Sequence, residues 1–117
     1  MALRPIVLLV DDDPVMRDML SIAFSVHGGF RIAGVAADGF EAAMTASDLT
    51  PDVVILDCLM PRWDGEKAAS FIRERCPDTK IIAFSAIATE RPEWADKFLT
   101  KNDVELLIRT VEEMTAN

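Results

Sequence analysis

From residue 51 the chain reads Pro-Asp-Val-Val-Ile-Leu-Asp-Cys-Leu-Met-Pro-Arg-Trp-Asp-Gly, and within it Val53 to Leu56 is an unbroken apolar run. A strand that is apolar at every position has no face to offer to water. It must be covered on both sides, as the strands of a parallel sheet are. The run stops at a carboxylate, Asp57, and Met60-Pro61 and Asp64-Gly65 mark a loop rather than continued strand. In an open α/β sheet, ligands bind beyond the carboxyl ends of the strands, so Asp57 stands where chemistry is done.

The rest of the chain supplies partners for that strand. Ile6 to Val10 is a second apolar run, ending in Asp11-Asp12-Asp13-Pro14. Asp13 before Pro14 reads as a helix cap followed by proline at the first helical position. Met16, Met19, Leu20 and Ala23 then recur at helical spacing until Gly28-Gly29. Arg31 to Ala36 is a short strand. Asp38 and Glu41 form a capping pair ahead of a helix carrying Phe40, Ala43 and Met44, which Pro51 closes. A third helix runs from Gly65 to Cys76 with Ala68, Phe71 and Ile72 inward. Lys80 to Phe84 is a buried strand finishing at Ser85-Ala86, and Lys97 to Thr100 is a strand finishing at Lys101. The last helix takes Asn102 as cap, with Glu105 three residues on and Val104, Leu107, Ile108 and Val111 as its apolar face.

Five strands alternating with helices predict an α/β fold, a flavodoxin-like doubly wound five-stranded parallel sheet in the order 2-1-3-4-5. In that order strands 1 and 3 are neighbours. Asp11, Asp12 and Asp57 therefore share one crevice, with Ser85 and Lys101 ending the next two strands on the same rim. Three close carboxylates either raise a pKa or bind a cation. The cation such oxygen donors suit is Mg²⁺. A carboxylate beside Mg²⁺ can attack a phosphoryl group, with a lysine ammonium neutralising charge and a hydroxyl binding a phosphoryl oxygen.

With 117 residues, half of them apolar, the chain predicts one domain spanning 1–117. A net charge of -8 argues against a nucleic-acid surface. Cys58 and Cys76 fit no metal spacing and suit a reducing, cytoplasmic compartment. Ile6 to Val10 is too short for a signal peptide or a membrane span, so no membrane association is expected.

The sequence resembles a response-regulator receiver domain, the phosphoacceptor part of two-component signalling. The resemblance runs over essentially the whole chain and is strongest at Val10-Asp11-Asp12-Asp13-Pro14 and from Leu56-Asp57 to Asp64-Gly65, with Ser85-Ala86 and Lys101 following in the family's order. It implies that Asp57 is the phosphorylated residue and Asp12 a direct Mg²⁺ ligand. Asp11 would act mainly through water, and the Leu59 backbone carbonyl would be a further ligand. Ser85 would be the switch hydroxyl, Lys101 the phosphoryl-binding lysine, and Phe98 an aromatic whose rotamer reports activation, though core packing explains Phe98 as well. The implied partners are a histidine kinase or phosphotransfer protein and a downstream protein, and a homodimer is left open. Such a protein catalyses only its own phosphorylation and dephosphorylation. With no output domain expected after the last helix, it would signal as a single-domain regulator or phosphate relay.

Some features depart from that pattern. Only nine residues, 88 to 96, lie between Ile87 and the strand at Lys97, where receivers usually carry a full fourth helix. A parallel crossover normally needs about ten to twelve residues, so a shortened helix of one or two turns around Pro92 to Ala95 is expected. Asn102 stands where the family usually has proline after a cis bond. A non-proline cis bond costs about 3 kcal/mol, so a trans bond is expected. Leu59 and Ile87, two residues past Asp57 and Ser85, cannot orient an attacking water, which predicts slow self-dephosphorylation. The short crossover and Asn102 favour the rival reading, a degenerate receiver acting as a phosphorylation-independent scaffold or dimerisation module, and the intact acidic set opposes it. A phosphatase is the third class, but Leu59 stands where that chemistry wants a second carboxylate. His27, the single histidine, suits a structural role. Cys58 suits a small buried thiol. Trp63 is either a partner contact or a lid.

Overall fold

The computed structural model describes residues 4–58, 60, 62–86 and 90–116. Strands β1 (Ile6–Val10), β2 (Arg31–Ala36), β3 (Val53–Leu56), β4 (Lys80–Ser85) and β5 (Lys97–Thr100) form one sheet in the order β2-β1-β3-β4-β5. Every pairing is parallel. Helices α1 (Pro14–His27), α2 (Gly39–Leu49), α3 (Gly65–Arg75) and α4 (Val104–Thr115) complete the doubly wound fold.

The apolar runs are continuous because each strand feeds two cores. Val7, Leu9, Val53, Ile55, Ile82 and Phe84 point to one face and meet Leu20, Phe24, Leu107 and Val111 of α1 and α4. Leu8, Val10, Val54, Leu56 and Ile81 point to the other and meet Ala42, Ala46, Ala68, Ala69 and Ile72 of α2 and α3. Alternate side chains of a strand point to opposite faces, so one run of sequence serves both layers.

Helix starts follow the expected chemistry. Asp13 accepts from the Val15 amide at 3.0 Å, Asp38 from Glu41 at 2.8 Å and Asp64 from Lys67 at 3.0 Å. Each satisfies a first-turn N–H that has no partner within its helix.

The expectations of an inward Phe71 and an Asn102 cap are corrected, and packing sets which helix faces are buried. On α2 the buried face is Gly39, Ala42, Ala43 and Ala46, whereas Phe40 and Met44 lie outward. Small residues let α2 approach the sheet, and the bulky pair is left for the surface. On α1 the buried residues are Leu20 and Phe24, and Met19 is exposed. On α3, Phe71 is only half-buried, packed beside Trp63. Thr50, in the left-handed region at φ 43°, ends α2 ahead of Pro51. The cap of α4 is Asp103, which accepts from the Leu106 amide at 2.9 Å. Asn102 instead accepts from the Thr100 hydroxyl, and its peptide bond is trans.

Of the one or two turns expected around Pro92 to Ala95, a single turn forms, in which the Ala95 amide donates to the Pro92 carbonyl at 3.1 Å. The segment is fastened instead by side chains. Arg73 of α3 donates to the Trp94 carbonyl at 2.8 Å and pairs with Asp96 at 3.1 Å, and Asp96 in turn accepts from the Ile81 amide at 2.8 Å. Trp94 packs onto the α2–α3 core.

Candidate functional site

The site is built by register. Val10 of β1 pairs with Leu56 of β3, so the next residues, Asp11 and Asp57, leave the sheet side by side. The Asp57 amide donates to the Val10 carbonyl at 3.2 Å and the Asp11 amide to Ala36 at 3.1 Å, anchoring both backbones. Asp11 and Asp57 are buried and Asp12 is exposed. Oxygen atoms of the three carboxylates all lie within 4.8 Å of one another. Asp11 is held further by its own turn. Its Oδ1 accepts from the Asp13 amide at 2.9 Å, and Arg17 donates to its carbonyl at 2.6 Å.

The other half of the rim comes from the next two strands. Ser85 ends β4 opposite Thr100 of β5, and the Lys101 amide donates to the Ser85 carbonyl at 3.3 Å. The Lys101 ammonium reaches across the crevice to Asp11 Oδ2 at 2.5 Å and Asp57 Oδ2 at 2.9 Å. Burial disfavours its charge, but hydrogen bonds to Asp11 and Asp57 and their negative charges outweigh that, so its pKa lies above the usual lysine range. The lysine therefore already bridges two carboxylates. The all-oxygen donor set of Asp11, Asp12 and Asp57 fits a hard divalent cation such as Mg²⁺.

Cys58 stands beside this centre, half-buried. Burial raises its pKa, a hydrogen bond with the Ser85 side chain works the other way, and the Asp57 charge raises it again. The thiol stays protonated and is a poor nucleophile. Ser85 is itself buried. Phe98 sits half-buried on β5, opposite Ala83 of β4 and outside both core clusters. Leu59, expected to offer its carbonyl to the metal, lies outside the described residues, as does Ile87 on the other side of the expected water path.

The loop after Asp57 is held in a way that sequence patterns do not signal. A Cβ on Gly39 would stand 1.9 Å from the Trp63 carbonyl oxygen, so the loop passes directly over the start of α2. Arg62, at φ 64°, pairs with Asp38 at 2.8 Å. Trp63 meets Phe40 edge-on at 5.2 Å and lies 5.6 Å from Phe71, with the Lys67 ammonium 4.7 Å from its ring. Trp63 therefore packs on α2 and α3. His27, as expected of a structural residue, pairs with Glu112 at 3.1 Å and joins α1 to α4.

A doubly wound parallel sheet with a carboxylate cluster and a lysine at the ends of β1, β3 and β5 defines an α/β domain with an acidic site at the carboxyl ends of its strands. Comparison with known proteins narrows the class. Residues 7–112 match the family model of the response regulator receiver domain, and the chain belongs to that family, the receivers of two-component systems. The chain is 38% identical over 88 residues to a probable C4-dicarboxylate response regulator, DctR, of Halalkalibacterium halodurans, covering 74% of this chain and 38% of that protein. It is 33% identical over 111 residues to protein-glutamate methylesterase/protein-glutamine glutaminase 2 of Pseudomonas fluorescens, covering 95% of this chain and 30% of that protein. The chain thus spans about a third of the length of these relatives. Among solved structures, the response regulator domain of Thermotoga maritima CheB superposes with a TM-score of 0.87 at 26% identity, covering 97% of this chain and 98% of that one. The CheX-CheY-BeF3-Mg²⁺ complex of Borrelia burgdorferi contains a chain that superposes at 0.86 with 30% identity, covering 96% and 90%.

Proposed function

We propose that residues 1–117 work as one receiver unit that accepts a phosphoryl group on Asp57 from a histidine kinase or phosphotransfer protein and signals through contact with a downstream protein. The observation that carries this reading is the bridge from Lys101 to Asp57 and Asp11 at the mouth of the sheet. In the reaction a carboxylate oxygen of Asp57 attacks phosphorus, the bond from phosphorus to the donor breaks, and the donor leaves with the electron pair. Lys101, already within hydrogen-bond distance of Asp57, follows the transferred group and neutralises one of its oxygens. The Ser85 hydroxyl, buried on the same rim, donates to another. Asp11 and Asp12 would hold Mg²⁺ together with Asp57 and the Leu59 carbonyl, and the metal when bound neutralises charge on the phosphoryl oxygens. The Mg²⁺ and BeF3 of the similar CheX-CheY complex support that assignment.

Phe98, half-buried on the last strand of the sheet, would turn inward when Ser85 engages the phosphoryl group. The chain's role is on itself, as acceptor, in the cytoplasm. Among the described residues no helix is long and apolar enough to cross a membrane.

The test is intact-mass measurement after incubation with acetyl phosphate and Mg²⁺, beside Asp57→Asn and a metal-free control. The expected result is one added phosphoryl group in the first sample and none in the other two. A failure of the native chain both to gain mass and to bind beryllofluoride would support the second reading, a phosphorylation-independent scaffold. The observation favouring that alternative is that the described residues before β5, 90–96, form a single turn and no helix.

A further inference from the structure

A side chain from the segment before β5 bears on the loop that follows Asp57. A Cβ on Gly65, the first residue of α3, would stand 2.7 Å from Cζ2 and 2.9 Å from Cη2 of Trp94. It would also stand 3.1 Å from the Asp57 carbonyl oxygen. One point of the chain therefore touches the indole on one side and the acceptor's backbone on the other. The Gly65 amide donates to the Cys58 carbonyl at 3.3 Å, which draws the two ends of the loop together into a neck. Trp94 packs against that neck from outside.

The segment that delivers the indole is fixed at its base. The Trp94 carbonyl accepts from Arg73 at 2.8 Å, about two turns along α3 from Gly65. Ala95 is buried. Asp96 exchanges two hydrogen bonds with Ile81 of β4, amide to carbonyl at 2.8 Å and carboxylate from amide at 2.8 Å. The indole thus reaches back from a rigid base to the first residue of the helix. It is half-buried and borders a groove lined by Glu66, Ser70, Arg73, Pro92 and Glu93, which gives the ring room to move outward.

We infer that Trp94 is a positioning residue for the acidic site, holding the neck of the acceptor loop at Gly65 and so fixing where the Asp57 carboxylate points. The inference rests on the reading of Asp57 as the acceptor and adds the residue that steadies it. Asp57 belongs to the oxygen set that fits Mg²⁺, and such a set binds well only while its supports keep each donor in place. Coupling of this kind is reciprocal. If the packing of Trp94 raises cation affinity, cation binding must tighten the packing of Trp94 by the same factor. The short segment before β5 then has a function of its own, which is to bring an aromatic ring to the acceptor loop.

The experiment is isothermal titration of the full chain with Mg²⁺, comparing the native protein with Trp94→Ala, Trp94→Phe and Phe30→Leu. Phe30 is buried against Phe24 ahead of β2, at the opposite end of the sheet, so trimming it costs stability without touching the loop. Trp94→Ala should bind Mg²⁺ about 10-fold more weakly. Trp94→Phe, which keeps a ring over Gly65, should retain most of the affinity, and Phe30→Leu all of it. Circular dichroism checks that each variant folds. A second measurement leaves position 94 unaltered. In a Trp63→Phe background Trp94 is the single tryptophan, and its emission should shift blue when Mg²⁺ is added. Native affinity in Trp94→Ala, an equal loss in Phe30→Leu, or emission that ignores Mg²⁺ overturns the inference and leaves the acceptor reading standing. A native chain that binds no Mg²⁺ overturns both.

Discussion

The Lys101 ammonium, leaving the end of β5, lies 2.9 Å from Asp57 at the end of β3, two strands away across the crevice that β4 spans. It lies closer still to Asp11. Among the described residues this ammonium faces the three clustered carboxylates, so the site carries a net negative charge that folding must tolerate.

That imbalance sets opposite signs for two substitutions. Lys101→Ala leaves Asp11 and Asp57 buried without their ammonium partner, and should destabilise the metal-free protein by about 2 kcal/mol. Asp12→Asn removes one repelling charge from an exposed position and should stabilise it by about 1 kcal/mol at most, while weakening Mg²⁺ binding. Urea denaturation with and without Mg²⁺ checks both. Added Mg²⁺ should recover much of the Lys101→Ala loss and little of any change in Asp12→Asn.

Gly39 and Gly65 both sit under tryptophans, with different consequences. A Cβ at Gly39 meets the Trp63 backbone at 1.9 Å, so the loop itself must move. A Cβ at Gly65 meets the Trp94 indole at 2.7 Å and the Asp57 carbonyl at 3.1 Å, and the indole can swing away. Gly39→Ala should cost about 3 kcal/mol and Gly65→Ala about 1 kcal/mol. Trp94→Leu should rescue Gly65→Ala in thermal unfolding. Trp63→Leu should not rescue Gly39→Ala, because the clash is with backbone.

Arg73 fastens the segment before β5 by two side-chain contacts, to the Trp94 carbonyl and to Asp96. Arg73→Ala should cost about 1 kcal/mol, the net worth of such a contact near the surface. In a Trp63→Phe background, where Trp94 is the single tryptophan, its fluorescence should shift red as the indole lifts from Gly65.

Asp38 ties α2 to the acceptor loop and should show it in its titration. The Glu41 amide holds its carboxyl below the usual aspartate range, burial opposes this, and Arg62 lowers it further. A depressed folded-state pKa means the contribution to stability is complete above the ordinary aspartate range. It is lost as pH falls through the depressed value. Arg62→Ala should raise the Asp38 pKa only part of the way to normal, because the amide remains. NMR titration of the carboxyl carbon reads this directly.

The cap of α4 separates two neighbouring residues. Asp103→Ala should cost about 1 kcal/mol, and Asn102→Ala less, since Asp103 is the one that accepts a first-turn amide. Chemical denaturation of the two variants decides between them.

Local chemistry determined much of this protein. Two apolar runs end at Val10 and Leu56, and a carboxylate follows each, Asp11 and Asp57. Those runs and the later ones, with proline and glycine between them, were enough for the strand order and for the rim that gathers Asp11, Asp12, Asp57, Ser85 and Lys101. Strand identity depends on neighbours in sequence, and parallel winding leaves few topologies. Tertiary structure decided the rest. Whether Phe40 and Met44 face in or out depends on how near α2 lies to the sheet, and alanines set that distance. Whether Asn102 or Asp103 caps α4 depends on where β5 releases the chain. The passage of Trp63 over Gly39, and the hold of Arg73 on Trp94, join residues more than twenty positions apart. Such contacts leave no periodicity to read, because they arise only when separately formed elements are packed against one another.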